Sequence, residues 1–565
     1  MTMKNIFLLL VSAILISSCS LDREPETTLS DVDFWKSETD LRAACNRLYI
    51  DLPGFLTGRG HDLRSEELIG NTPDKISSGS RNVPETDNEW TGPYKKIGIC
   101  NNIIIKGEKV TATETAKNRW LAEARFFRAF YYFDLVRKYG DVPLILKIFT
   151  TTTDPEITKA RDSRETVIQQ CYKDLDFAAQ WLPDIDKTAN DWGRVSRSAA
   201  LGMIVRIGLY EGTYIKYHGL TTGDSQSHLK KSIDAAEAMF EDDKHELYRD
   251  FQKLFYFDGE GRQNKENVFV KVYGPNGMSN AIVYHNQCAS KAGQATVTRQ
   301  MIDNFLYTDG LPKPLSSKYQ MDVKLDDIFT DRDPRLKMTV FGYREVSYKD
   351  SEYLPFESVN HNGFGYPIKK GYMKVEFDTN SKETVDKMII RYAEILISYA
   401  EALYEYHGKI SNEQLDATVN ELRRRAGFTA ELTNEFAQQH GLNILDEIRR
   451  ERMVEFIDEN LHYDDIIRWK TAEKLLPKAM LGMVFNADES AKTLKELGDK
   501  FTDAEGNYNG VKVYDYNQEG IYVIEEAAVV NSIPNGIICI LFQVTKSPHP
   551  ADRLNKTHIG TNKNE

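Results

Sequence analysis

The chain has 565 residues, 41% hydrophobic and 28% charged, with 72 Lys and Arg against 85 Asp and Glu for a net charge of −13. At about 150 residues per domain it is long enough for three or four domain-sized pieces and a large core, and its composition is neither disordered nor collagen-like. An anionic chain without a long basic block excludes nucleic acid as the expected partner, because displacing phosphate counterions requires clustered Lys and Arg.

Met1 to Ser20 carries one Lys at position 4, an apolar run from Ile6 to Ile16 and small residues before Cys19. That run has 11 residues, short of the roughly 20 a spanning helix needs. Residues 1–18 therefore read as an export signal, set aside from fold reasoning. Ile16-Ser17-Ser18-Cys19 resembles a bacterial lipobox, in which cleavage precedes the cysteine and the thiol takes a lipid. An ordinary signal with an incidental cysteine is the plainer alternative. Residues 19–36 read as the lipidated start and a polar tether. The other cysteines, Cys45, Cys100, Cys171, Cys288 and Cys539, are far apart and form no C-x-x-C pair, which argues against a disulfide framework or a zinc site and for small buried hydrophobes.

Helical spacing then dominates. Thr115 to Tyr139 puts Leu121, Ala124, Tyr131 and Leu135 on one stripe and stops at Gly140 and Pro143. Its aromatic residues, Phe126, Phe127, Phe130, Tyr131, Tyr132 and Phe133, exceed what one face can hold, which predicts burial on several sides. Ser196 is the expected N-cap of a helix through Ala200, Ile204 and Ile207, with Gly202 and Gly208 permitting close helix contact. Residues 389–404 and 412–426 predict one helix hairpin, and Leu442 to Phe456 with Tyr463 to Leu476 another. Such hairpins bury their apolar faces by stacking into a superhelix. Helix-rich stretches at about 37–240 and 386–480 flank a block, about 250–385, rich in Gly, Asn, Pro and aromatic residues, with only short strand-like runs such as Asn267 to Tyr273. That block reads as loops carried on a helical frame.

These segments carry motifs that resemble the SusD/RagB family of outer-membrane nutrient-binding lipoproteins. The matching residues are Phe34-Trp35 through Leu41; Trp90 with Tyr94, Ile97 and Asn101-Asn102; Ala122 through Val136 followed by Tyr139-Gly140-Asp141-Val142-Pro143; Gly193-Arg194-Val195; Asp331 through Leu336; Arg391 through Leu396 with Tyr399-Ala400-Glu401-Ala402; and Glu451-Arg452 through Trp469. Asn460 and His462 stand where the family usually has Gly and Arg, at positions read as structural. The resemblance implies a mainly α fold: one SusD-like domain over residues 37–530, with tetratricopeptide-like hairpins supporting an irregular ligand lobe. Residues 531–565 are a divergent tail, left open as folded or disordered.

The resemblance also implies a function: a lipoprotein anchored through Cys19, facing the cell exterior, that captures oligosaccharides and hands them to a SusC-like TonB-dependent barrel transporter. A peptide or a host glycoprotein glycan is the alternative ligand; a lipid-anchored glycoside hydrolase and a protein-interaction scaffold are the alternative classes. No metalloprotease, P-loop or nucleophile-elbow motif is present, but a glycosidase needs only two carboxylates across a cleft, which the sequence leaves open; it is the resemblance that implies binding without catalysis and without a cofactor, and a structural calcium ion is left open. Sugar capture calls for aromatic faces beside planar polar groups. The resemblance points to Trp90, Asn101, Tyr273, Asn276, Asn280, Tyr284, His285, Asn286, Gln287, Tyr343 and Arg344. Trp90 reads equally as core and Asn101 equally as a backbone bridge, and the stretch Tyr343 to Tyr372 equally as a transporter interface. Arg423-Arg424-Arg425 and Arg449-Arg450-Glu451-Arg452 read as solvated ion pairs of modest worth, whereas Glu451, Arg452, Asp465 and Arg468 predict a buried polar network.

Overall fold

The computed structural model describes residues 34–70, 74–81, 84–188, 191–273, 295–320, 322, 325–346, 350, 352, 365–374, 385–476, 478, 480–484 and strands at 507–508, 511–512, 514–516 and 521–525. Cys19, Asn276, Asn280, Tyr284, His285, Asn286, Gln287, Cys288, Cys539 and the 531–565 tail lie outside them. Helix outweighs strand, 54% to 7%, which fixes the class as mainly α.

The first helical layer runs α1 (Glu38–Asn46), α2 (Phe55–Asp62), α3 (Asn88–Gly107), α4 (Glu114–Tyr139), α5 (Arg164–Trp181), α6 (Arg197–His218) and α7 (Ser225–Asp242). Local chemistry sets the ends. Thr113 accepts from the Ala116 N–H at the start of α4, and Gly140 ends it at φ +69°, a conformation glycine adopts without a Cβ clash. Ser196 caps α6 as expected, accepting from the Ala199 N–H. The aromatic density of α4 is resolved by burial on several sides, with Phe126, Phe127, Tyr132 and Phe133 in the core and Phe130 half-buried. Gly208 lets α7 lie directly on α6: a Cβ there would stand 2.7 Å from the His228 carbonyl oxygen. Cys45, Cys100 and Cys171 are free, buried thiols.

The second layer comprises α8 (Tyr392–His407), α9 (Asn412–Leu415, continued through a π-helical turn at Asp416–Asn420 into Glu421–Arg425), α10 (Asn434–His440), α11 (Ile444–Glu455) and α12 (His462–Arg468). The helix expected from residue 389 begins three residues later, because Lys387–Arg391 is drawn into an antiparallel pair with Asn267–Lys271. The helix expected over Tyr463 to Leu476 is broken at Lys470, which adopts φ +57°.

Strands are few and short. In chain order the ones used below are β1 (Leu68–Ile69), β2 (Asn267–Lys271), β3 (Thr296–Val297), β4 (Tyr366–Pro367) and β5 (Lys387–Arg391). β2 pairs with β5, while β1, β3 and β4 form an antiparallel three-stranded sheet. The middle block is therefore stitched to the frame by the N-terminal strand β1, and its apolar cluster around Ile302, Phe305, Leu336 and Ile368 also takes in Leu68, Val454 and Ile457 of the frame.

Between the block and the frame lies a lattice of buried charges. Arg335 meets Asp333 at 2.7 Å, Glu451 at 2.5 Å and Glu455 at 3.0 Å; Arg391 meets Glu266 at 2.9 Å, Glu455 at 2.7 Å and Glu459 at 2.7 Å; Arg423 meets Glu451 at 2.9 Å; Arg425 meets Glu266 at 3.0 Å and also Glu455; Lys370 meets Glu459 at 2.5 Å. Asp333, Glu266, Glu451, Glu455 and Glu459 thus answer Arg335, Arg391, Arg423, Arg425 and Lys370, cation for anion. This corrects the reading of the basic triplets as solvated. Arg423, Arg425 and Arg452 are buried, and of the first triplet only Arg424 faces solvent. The expected polar network exists in a different grouping: Arg452 and Arg468 share Asp465, Arg468 also forks onto Glu401, and Glu451 belongs to the lattice.

The two family departures have local explanations. Asn460 sits at φ +70°, a left-handed conformation that asparagine tolerates, and its N–H donates to buried Asp62 at 2.9 Å. His462 lies 2.9 Å from Glu66, filling a buried cationic position.

Candidate functional site

A cleft of about 440 Å³ opens between the first helical layer, the turn at 51–54, the start of β5 and the left-handed turn at 459–461. Its floor is the aromatic face of α4, with Phe130, Tyr131 and Phe133; α3 adds Asn88, Glu89 and Lys96. Cations already cover two of these rings: Lys96 lies 5.1 Å from the Tyr131 centroid, and the Arg137 guanidinium lies 5.1 Å from that of Phe133.

Most charges in the cleft are matched. Arg64 meets Glu89 at 2.6 Å, Asp134 receives Arg137 at 2.9 Å and Lys138 at 3.1 Å, and Arg206 forks onto Glu394 at 2.7 and 2.6 Å. Against the burial that opposes it, the Lys138 and Arg137 charges hold the Asp134 carboxyl below its ordinary range. Burial, reinforced by Arg137, Arg64 and Lys138, keeps His61 neutral.

The mouth is built differently. The turn Asp51-Leu52-Pro53-Gly54 presents its carbonyls to three lysines: Lys96 Nζ donates to Asp51 O at 3.3 Å, Lys271 Nζ to Leu52 O at 2.6 Å and Lys387 Nζ to Gly54 O at 3.0 Å. Tyr273 closes over this turn, stacking on Phe55 with centroids 6.0 Å apart, and a Cβ at Gly54 would stand 3.0 Å from its hydroxyl oxygen. The absent side chain is what lets the ring approach.

Among the residues expected to bind, Tyr273 thus packs on the turn that borders the cleft, almost buried, its backbone N–H fixed by Asp386 at 2.8 Å. Trp90 shares α3 with the cleft residues, but its half-buried ring packs against Tyr139 (4.9 Å), Tyr94 (5.4 Å) and Arg161 (5.1 Å). Asn101 takes the second of its two readings, the backbone bridge. It is 1% exposed; its Nδ2 donates to the Ile145 and Lys147 carbonyls at 2.9 and 3.3 Å, and its Oδ1 accepts from Arg128 at 2.9 Å. With both ends of the amide engaged it bridges backbone and has nothing to offer a surface ligand. Tyr343 lines a separate, shallower depression with Phe329, Asp326, Lys337, Glu345 and Lys369. Arg344 is exposed beside it and pairs with Glu352 at 3.2 Å.

Sequence reasoning missed Lys96, Lys271 and Lys387. The available signal was a lysine at one end of each of two short apolar runs, 267–271 and 387–391, which become neighbours only when the strands pair. Among the described residues no group of three or more His, Cys, Asp or Glu is arranged to hold a metal ion, and no helix is long and apolar enough to cross a membrane.

Residues 254–538 match the description of the SusD family, and residues 70–209 match that of a family described as starch-binding and associating with the outer membrane. The chain is similar to a SusD-like protein of Bacteroides ovatus, 24% identical over 85% of each chain, and to SusD-like protein P2 of Formosa agariphila, 27% identical over 82% of this chain and 89% of that one. In fold it resembles a SusD-like carbohydrate-binding protein of Bacteroides fragilis, with a TM-score of 0.70 at 22% identity over 90% of this chain and 99% of that one. It also resembles surface glycan-binding protein A of Bacteroides uniformis, with a TM-score of 0.55 at 18% identity over 77% and 88% of the two chains. With one of these descriptions spanning half of its length, this chain belongs to the SusD/RagB family.

Proposed function

We propose that the protein captures oligosaccharides at the outer-membrane surface, held there by a lipid on Cys19 and the tether at 19–36, and delivers them to a SusC-like TonB-dependent barrel transporter. The observation that carries the reading is the cleft itself: a pocket of ligand size with a ring floor and fixed polar walls, beside whose 51–54 turn Tyr273 stacks on Phe55. The descriptions of its relatives as carbohydrate-binding and outer-membrane-associated support that reading. Capture precedes transfer and involves no bond cleavage. A few ring contacts and hydrogen bonds give micromolar to millimolar dissociation constants, roughly 4 to 8 kcal/mol, weak enough for onward release.

Isothermal titration against a panel of oligosaccharides tests the reading. Binding in that range without new reducing ends is expected; no binding to any member, or release of reducing ends, overturns it. Radiolabelled palmitate entering the wild-type chain but not a Cys19→Ala variant tests the anchor.

A further inference from the structure

The three lysines at the cleft mouth are placed at a cost to the fold. In the β2–β5 ladder Lys271 stands directly opposite Lys387, and like charges in that position repel. Lys96 approaches the same turn from α3, and the Lys271 ammonium is pushed below its ordinary pKa by burial, against the attraction of Asp51, with a smaller push from Lys96. The other cleft cations, Arg64, Arg137, Lys138 and Arg206, each rest on a carboxylate. The Lys96 and Lys271 ammoniums instead rest on a main-chain carbonyl and a ring face, that of Tyr131 at 5.1 Å and of Tyr273 at 5.3 Å. Asp51, the acid of the turn, is engaged by Arg47 at 3.3 Å. An ammonium has three donors, and one carbonyl satisfies only one of them. The result is three ammoniums gathered on one turn beside a stacked aromatic pair.

We propose that the cleft takes acidic oligosaccharides, whose carboxylate or ester-sulfate groups are held at the mouth by Lys96, Lys271 and Lys387. This rests on the reading of the cleft as the capture site and names its ligand class. A neutral glycan gains nothing from three clustered cations, whereas an anionic substituent relieves their mutual repulsion and accepts further N–H groups of Lys96 and Lys271. The Phe55–Tyr273 pair lies next to the sugar ring that carries the substituent.

The test titrates the full chain with oligogalacturonates, with chondroitin sulfate oligosaccharides and with neutral maltooligosaccharides of matched length, at low and high salt. Wild type is compared with Lys96→Gln, Lys271→Gln and the charge-keeping Lys96→Arg. One acidic series is expected to bind about tenfold or more tighter than the neutral one, to lose about tenfold in each Gln variant, to recover in Lys96→Arg and to weaken with salt. Whether the uronates or the sulfates bind identifies the substituent. Should Lys271→Gln fail to fold, the Lys96 pair decides. Neutral oligosaccharides binding as tightly, unaffected by either Gln variant, overturn the ligand class and leave capture standing. Acidic binding indifferent to the lysines overturns their role. Binding by none of the three series removes the capture reading as well.

Discussion

The buried lattice between the loop block and the helical frame and the mouth of the cleft are both built from clustered cations, and they treat them in opposite ways. In the lattice every cation has a carboxylate: Glu455 alone is shared by Arg335, Arg391 and Arg425. At the mouth, Lys96 and Lys271 are given carbonyls and ring faces. Matched buried charges fix geometry, because losing any one partner strands the others in a low-dielectric interior. Clustered like charges resting on neutral acceptors are strained in isolation, and an added anion relieves them. The first arrangement suits a joint and the second a binding site.

The difference is sharpest under neutralisation. Glu455→Gln leaves three guanidiniums short of charge and is expected to destabilise the fold by about 3–5 kcal/mol, read from the urea midpoint. The acid side of the stability profile follows from the same logic. Against the burial that raises it, Arg468 holds Glu401 at about 2, below its unfolded value of 4.5. Its contribution is complete above pH 4.5 and is lost as pH falls toward 2. His462 works on the other side: against burial, Glu66 raises it to about 9 from 6.5. Its contribution is complete below pH 6.5 and is lost as pH rises through 9, so a melting series from pH 6 to 10 should decline in wild type and flatten in His462→Gln. Asn101→Ala, which unties the 145–147 segment from α3 and strips Arg128 of an acceptor, is expected to lose about 1–3 kcal/mol and to speed amide exchange at Ile145 to Lys147. The smallest effect has the opposite sign. Lys271→Gln removes a cross-strand repulsion and should leave stability unchanged or raise it by up to about 1 kcal/mol, while high salt stabilises wild type more than the variant. A Lys271→Gln protein as unstable as Glu455→Gln would erase the distinction.

The frame was legible where its determinants are local. Ser196 and Gly140 act on their own helices, and the crowded rings of α4 announce burial on several sides. The misreadings have one cause, which is dependence on partners far away in sequence. Arg423 and Arg425 look like a solvated triplet until Glu451, Glu455 and Glu266 arrive from other elements. Asn101 looks like a ligand group until the 145–147 carbonyls and Arg128 close on it. The cleft mouth joins residues 51–54, 96, 271 and 387 through a strand register that no local pattern specifies, so Tyr273 was legible there as an aromatic residue and the lysines around it were not.

Hydrogen–deuterium exchange of the full chain, with and without a saturating oligosaccharide that binds it, tests the central claim most directly. Capture in the cleft predicts slowed exchange concentrated in residues 47–55, 88–97, 268–273 and 385–389. Protection confined to residues 326–345, around Tyr343, would move the site to the other depression and contradict the account.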